Sequence, residues 1–166
     1  MVRLLVTYME LCAPPCDAVL APSLAAVCIA KEVPAPEEYL ELYRAVGTPL
    51  QWDDRLRMPR DELCKFIASS MTSIYVLRIE GRSVGLCEFE GVGTKSVELK
   101  HFGLTPGFQG RGLGSYLLNS ALRSVWSCRP ERIWLHTDTN DHPKAKSTYE
   151  RAGFKAYAEV WEEFPD

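Results

Sequence analysis

Residues 102–118, FGLTPGFQGRGLGSYLL, place Gly110, Gly112 and Gly114 at alternate positions between an apolar run and a stretch with helical periodicity. A glycine turn that ends a strand and opens a helix presents several backbone N–H groups to one point, and no Cβ blocks an anion from reaching them. The chemistry on offer is the holding of a negatively charged group, with the Arg111 charge and the helix end both favouring it. Two other glycine motifs do not fit. A dinucleotide fingerprint needs G-x-G-x-x-G in an opening strand–helix–strand unit, but here the spacing is G-x-G-x-G and the turn follows a run of extended segments. A P-loop needs Gly-Lys followed by Ser or Thr, and neither Gly112 nor Gly114 is followed by lysine.

Side chains able to move protons lie on both sides of this turn: Glu88, Glu90, Glu98 and His101 before it, His136, His142 and Tyr149 after it. The cysteines carry no comparable signal. Only Cys12 and Cys16 lie close together, and no second pair or histidine at ligand spacing joins them, so the reading is reduced thiols and no metal.

The 166 residues fit a single domain, residues 1–166, large enough to bury a core without disulfides or metal. A net charge of −3 gives no general attraction for a polyanion, so nucleic acid is not expected as a partner. The N-terminal run MVRLLVTYMELC is broken at Thr7 and Glu10 and precedes no clean cleavage site. No segment reaches the roughly 18–20 apolar residues of a membrane span, and the expectation is a cytoplasmic protein that does not use a membrane.

The elements that must position these groups follow from periodicity and punctuation. LLVTYMEL alternates as a first strand over about residues 3–11, and LAAVCIA, residues 24–30, is apolar but ambiguous between helix and strand. PAPEEYLELYRAVG and PRDELCKFIAS each open on proline and early acids, as helices do. SIYVLRI, SVGLCEFE and SVELKHFGL, separated by glycine turns, form an antiparallel meander. After the glycine-rich stretch, Leu113, Leu117, Leu118, Ala121, Leu122 and Val125 share one broad helical face that must cover a sheet. RIWLHTDT is a strand, HPKAKSTYERAGF a short helix closed by Gly153, and KAYAEVWEEF a last strand. The order predicts an α/β fold, a mixed sheet with helices on both faces.

The pattern Gln109-x-x-Gly112-x-Gly114, preceded by a strand and Thr105-Pro106-Gly107-Phe108 and followed by an amphipathic helix, resembles the acyl-CoA pyrophosphate loop of the GNAT superfamily of N-acetyltransferases. NDHPKAKSTYERAGF, residues 140–154, resembles that family's second motif, with Ala145, Tyr149, Gly153 and Phe154 at its marked positions. The two motifs stand in the right order, one helix and one strand apart, and the likeness covers roughly residues 73–160. It implies a mostly antiparallel central sheet, splayed between the strand before the glycine turn and the next strand.

The resemblance also implies roles. Acetyl-CoA would be the cofactor, bound by Gln109, Gly110, Arg111, Gly112, Leu113, Gly114 and Ser115 at the diphosphate and by Phe102, Gly103 and Leu104 along the pantetheine arm. Asn140 or His142 would touch it from the second motif. Tyr149 occupies the place of the general acid, and Glu98 that of a base, with a plain water chain as the alternative. Glu88 and Glu90 are further carboxylates for the base or for holding the acceptor, whereas His101 reads as a satisfied, partly buried imidazole facing away from Phe102. Acceptor specificity falls to the loop GTPLQWDDRLRMPR, where Trp52 could form a wall and Asp53 or Asp54 hold an ammonium group, unless Asp–Arg pairs merely clamp a solvated loop. The expected activity is N-acetylation of a small-molecule primary amine in a ternary complex, by a monomer or a homodimer. A protein or peptide acetyltransferase and a non-catalytic acyl-CoA sensor are the alternatives.

Overall fold

The meander folds as its turns dictate. Strands β3 (Thr72–Ile79) and β4 (Arg82–Glu90) are joined by Glu80 and Gly81 alone, both at positive φ, 50° and 80°, the conformation whose twist matches a two-residue hairpin. β5 (Ser96–Leu104) pairs antiparallel with β4. A computed structural model gives these positions and describes residues 1–15, 22 and 26–165. The remaining elements are β1 (Val2–Leu11), β2 (Val27–Glu32), α1 (Pro36–Gly47), a 3-10 turn (Thr48–Leu50), α2 (Asp54–Arg57), α3 (Arg60–Ala68), α4 (Leu113–Trp126), β6 (Arg132–Asp138), α5 (Ala145–Ala152) and β7 (Lys155–Phe164). Of the ambiguous run LAAVCIA, Val27 onward is strand, while Leu24 and Ala25 lie outside the described residues.

Among the described residues the sheet has seven strands in the order β2-β3-β4-β5-β6-β1-β7, with β5–β6 as its one parallel pair. The sequence showed that β1 is a strand and did not show where it goes. It enters between β6 and β7, antiparallel to both, so strands from opposite ends of the chain are neighbours. β7 closes the sheet as an edge and leaves Tyr157, Val160 and Trp161 exposed.

Two apolar layers cover the central strands. α4 buries Leu113, Leu117, Leu118, Ala121, Leu122 and Val125, the face expected from periodicity, against Val97, Leu99, Leu104, Met9 and Ile133. Each such leucine stabilises the fold by about 1.5–3 kcal/mol. On the opposite face α1 and α3 bring Tyr39, Leu42, Tyr43, Val46, Leu63 and Ile67 onto Ile74, Val76 and Leu86.

One irregularity shapes everything that follows. β4 and β5 pair Glu90 with Glu98 and Phe89 with Leu99, and then the register shifts so that Glu88 faces His101 and Lys100 is the extra residue. A bulge of this kind adds local twist and re-aims the residues beyond it. Val97 and Leu99 before it, and Phe102 and Leu104 after it, all pack toward α4, so His101 comes to share the opposite face with Glu88. β5 also parts from β6 here: their parallel pairing covers only Ser96–Glu98 against Arg132–Trp134. The sheet is forked beyond that point, as a splayed strand requires.

Candidate active site

The fork holds a cavity of about 750 Å³. One arm is walled by the parted segment of β5, Leu99 to Leu104, and by His136 and Asp138 of β6. Gln109, Gly110, Gly112, Gly114 and Ser115 close it at the glycine turn, and Lys144, Ala145, Thr148, Tyr149 and Arg151 at α5. The other arm opens between Val2, Leu4, Tyr43, Gln51, Trp52, Asp53, Asp54, Arg57 and Phe164. A ligand lying in one arm can therefore meet a ligand lying in the other.

The turn combines open space with unpartnered backbone donors. Gly110 and Gly112 have φ of 77° and 76°, values that L side chains adopt only with strain. A Cβ at either would meet no heavy atom within 4 Å, so the concavity beside them is open. Gly112 caps α4 without a side-chain cap, and the first hydrogen bond of the helix is donated by the Tyr116 amide to the Gly112 carbonyl at 3.2 Å. The amides of Leu113, Gly114 and Ser115 thus have no intrahelical acceptor and are free to donate outward. The Arg111 guanidinium does not line the cavity; it lies over the Phe108 ring, 5.7 Å from its centroid. Leu113 is fully buried in the α4 core, so only its backbone can serve a ligand.

The loop between β6 and α5 is held by its own carboxylates. Asp141 accepts from the Thr137 hydroxyl at 2.5 Å and the Asp138 amide at 3.2 Å, and Asp138 accepts from the Asn140 amide at 2.7 Å. Asn140 and His142 both line the cavity. The Asn140 side chain donates to Gln51 at 3.4 Å, linking this loop to the acceptor loop, while His142 Nδ1 accepts from the Lys144 amide at 3.1 Å.

Tyr149 is buried, its ring 5.8 Å from that of Phe102 and 6.0 Å from that of Phe154, and it lines the cavity where β5 and α5 approach. Burial, with the Asp141 charge adding to it, pushes its phenol well above the ordinary tyrosine range. Glu98 stands at the apex of the fork, half-buried, 3.9 Å from Lys100. Burial raises its carboxyl despite the opposing charges of Lys100 and His136. It is not on the cavity wall.

Glu88, expected to face an acceptor, is buried instead, and Glu90, still 34% exposed, is held in an ion pair, with Arg55 drawn into the fold between them. Its guanidinium, 4% exposed, donates to Glu88 at 3.1 Å and to Glu90 at 3.0 Å and lies 3.8 Å from the centroid of the Phe66 ring. Glu88 has no exposure at all and also accepts from the Tyr39 hydroxyl and from His101 Nδ1 at 2.6 Å. Burial alone would raise this carboxyl; the hydrogen bond and charge of His101, then the Arg55 charge and the Tyr39 hydroxyl, hold it below the usual glutamate range. The loop bearing Trp52 is thus more than a solvated clamp. An exposed Asp53–Arg57 pair exists at 2.5 Å, but α2 anchors the loop through Arg55, and Trp52 packs on Tyr43 and His101 with ring centroids 5.6 and 4.8 Å apart.

Sequence reasoning did not single out Arg55, Tyr39 or Tyr43, nor Lys144, Thr148 and Arg151 on the α5 side. Lys144, Thr148 and Arg151 follow one another at four- and three-residue spacing, a signal from which one face at α5 could have been read. The buried network had no such signal, since its members come from α1, α2, β4 and β5.

A split sheet with an open, donor-rich turn at one end of the split and a second opening at the other leaves room for two ligands in one cavity. The chain belongs to the acetyltransferase (GNAT) family, whose model matches residues 37–154. Members of that family normally use acetyl-CoA as acyl donor, and the open glycine concavity, the unpartnered first-turn amides and the parted edge of β5 fit such a molecule. No match was found among functionally curated proteins. Solved structures share the fold. A putative GNAT-family acetyltransferase from Novosphingobium aromaticivorans is 18% identical over 97% of this chain and 63% of its own, with a TM-score of 0.61. A GCN5-related N-acetyltransferase from Sphaerobacter thermophilus is also 18% identical, over 95% of this chain and 50% of its own, with a TM-score of 0.62. An aminoglycoside acetyltransferase from an uncultured soil metagenomic sample, solved with trehalose, is 14% identical over 84% of this chain and 95% of its own, at 0.68. This chain spans 50–63% of the length of the first four structures it matches. Among the described residues no helix is long and apolar enough to cross a membrane.

Proposed function

We propose that the protein transfers an acetyl group from acetyl-CoA to the primary amine of a small molecule, with donor and acceptor held together. The observation that carries this reading is that the glycine turn and the Trp52 loop open into one continuous cavity through the fork. Acetyl-CoA supplies the acyl group activated as a thioester. The amides of residues 110–115 hold its diphosphate, with Lys144 and Arg151 adding charge on the cavity wall. The unpaired edge of β5 from Phe102 to Leu104 holds the pantetheine arm, and a backbone N–H of that edge faces the developing oxyanion. Trp52 walls the acceptor, and the carboxylates of Asp53 and Asp54 favour a cationic amine at that end of the cavity.

Tyr149 gives a proton to the departing thiolate. A tyrosine phenol already holds its proton at neutral pH and burial only strengthens that hold, so the transfer relies on the thiolate charge forming beside it. For Tyr149→Phe, acetyl-CoA affinity is expected to stay within about twofold and turnover to fall by about 100-fold, the scale of one general acid. Calorimetric titration with acetyl-CoA, followed by thiol-release assays over small amines, amino acids and peptides, tests the whole reading. Binding with turnover of small amines supports it. Turnover of peptides alone would move the activity to a protein acetyltransferase, and binding without turnover on any class would mark an acyl-CoA sensor.

A further inference from the structure

The proposal rests on the function just described and concerns the group that removes the proton from the attacking amine. We propose that His101 is this base and that Glu88, buried behind it, is its positioning residue.

Three observations place His101 there. It lies on the segment of β5 that has parted from β6, between Lys100 and Phe102, and it lines the cavity. Its Nδ1 is 2.6 Å from a carboxylate oxygen of Glu88. A buried carboxylate is acceptor-only, so Nδ1 carries the hydrogen and donates, and the Nε2 lone pair is left free to accept. Nε2 is 3.3 Å from the Tyr43 hydroxyl, which donates weakly to it at that distance, and Tyr43 too lines the cavity. A base within reach of the substrate space, oriented by a third group on its far nitrogen, is the arrangement that activates a nucleophile.

The surroundings explain why Glu88 can do this. An isolated buried carboxylate is costly, and here the Tyr39 hydroxyl from α1 and the Arg55 guanidinium from α2 satisfy its other lone pairs. When His101 takes a proton it becomes an imidazolium against a carboxylate already in place, and the one adjustment is that the Tyr43 hydroxyl rotates its hydrogen away from Nε2. The other charged or titratable groups around it are Glu90 behind Arg55, Glu98 and Lys100 on its own strand, and His136, Asp138, Asp53, Asp54, Arg57, Lys144 and Arg151 on the wall of the same cavity. Glu98 is the weaker base on geometry, because it sits at the apex of the fork, off the wall, beside Lys100.

The step balances simply. The substrate ammonium loses one proton to Nε2, and the neutral nitrogen forms a C–N bond to the acyl carbon. The C–S bond breaks, and the thiolate takes its proton from Tyr149. Solvent resets both side chains between turnovers.

The test compares wild type with His101→Gln, His101→Ala and Glu88→Gln, using acetyl-CoA calorimetry, thiol release with tyramine, spermidine, kanamycin and a lysine peptide as probes, and nitrogen-detected histidine NMR of the free protein. For His101→Gln, acetyl-CoA affinity is expected to be unchanged. Its kcat/KM should fall by at least about 100-fold, with the low-pH limb of the rate profile lost. Imidazole in the buffer should restore part of the His101→Ala rate. NMR should show His101 protonated at Nδ1 in the wild type and this preference lost in Glu88→Gln, whose defect should lie in kcat rather than KM. Full turnover and an unaltered pH profile in His101→Gln would overturn the proposal alone, as would an Nε2-protonated imidazole in the wild type. A wild type that binds acetyl-CoA and acetylates none of the probes would instead overturn the function on which it rests.

Discussion

Gly112→Val is expected to lower acetyl-CoA affinity by more than about 100-fold while the protein stays folded, an effect of about 2.7 kcal/mol or more. The cause is local. Gly112 stands at φ 76° as the cap of α4, on the cavity wall, with open space where a Cβ would project. An isopropyl group there takes the volume that the diphosphate needs and, by drawing the backbone toward negative φ, turns away the amides that should meet it. Loss of one or two hydrogen bonds to a charged group, each worth about 1.5–3 kcal/mol, accounts for the magnitude. The fold survives because nothing in the core is displaced, and the strain of a left-handed non-glycine residue is only about 1–2 kcal/mol. Calorimetry with acetyl-CoA, beside a thermal melt, reads both quantities. Affinity within about threefold of wild type in a folded variant would remove the glycine turn from the donor site.

The second large effect concerns stability. Arg55→Ala removes the cation that faces both Glu88 and Glu90 and that stacks on Phe66. Breaking a buried ion pair from one side costs about 3–5 kcal/mol, because the remaining charge is stranded. At about 2–4 °C per kcal/mol for a chain of this size, the melting temperature should fall by roughly 10 °C. Adding Glu88→Gln to Arg55→Ala should recover part of this loss, because the stranded charge is then gone. A loss below about 1 kcal/mol would mean that solvent reaches the pair. The same carboxylate sets an acid limit. Its folded-state proton affinity lies below the unfolded value, so its contribution is complete above the unfolded glutamate pKa of about 4.3 and is lost as pH falls through the lower folded value. Thermal melts from pH 6 to about pH 3 should therefore fall steeply for the wild type and more gently for Glu88→Gln.

Much of this protein is legible along the chain. The meander, the α4 face and the short helix closed by Gly153 obey local periods and turn residues, so each element could be read where it stands. The glycine turn could likewise be read from its spacing, because its members are neighbours in the chain, and the family resemblance singled out Tyr149. His101 is the instructive case. Strict alternation along β5 puts it on the face opposite to Glu98, and with all its hydrogen bonds satisfied it reads as core. The bulge at Lys100 reverses that parity and sets the imidazole against Glu88, at the point where the strand leaves its neighbour.

By itself, then, the sequence determined most of the elements, the glycine turn and the family resemblance, since these depend on residues near one another in the chain; it left β2 ambiguous and read the stretch that forms α2 as loop. The tertiary structure alone decided three things. β1 was placed between β6 and β7, because strand neighbours are chosen by pairing across the whole sheet. Arg55 was drawn from a polar loop into the core, because the fully buried Glu88 of β4 needed a cation and Glu90 beside it adds a second partner. And His101 was joined to Glu88, because a one-residue shift in register moves a side chain from one face of a sheet to the other.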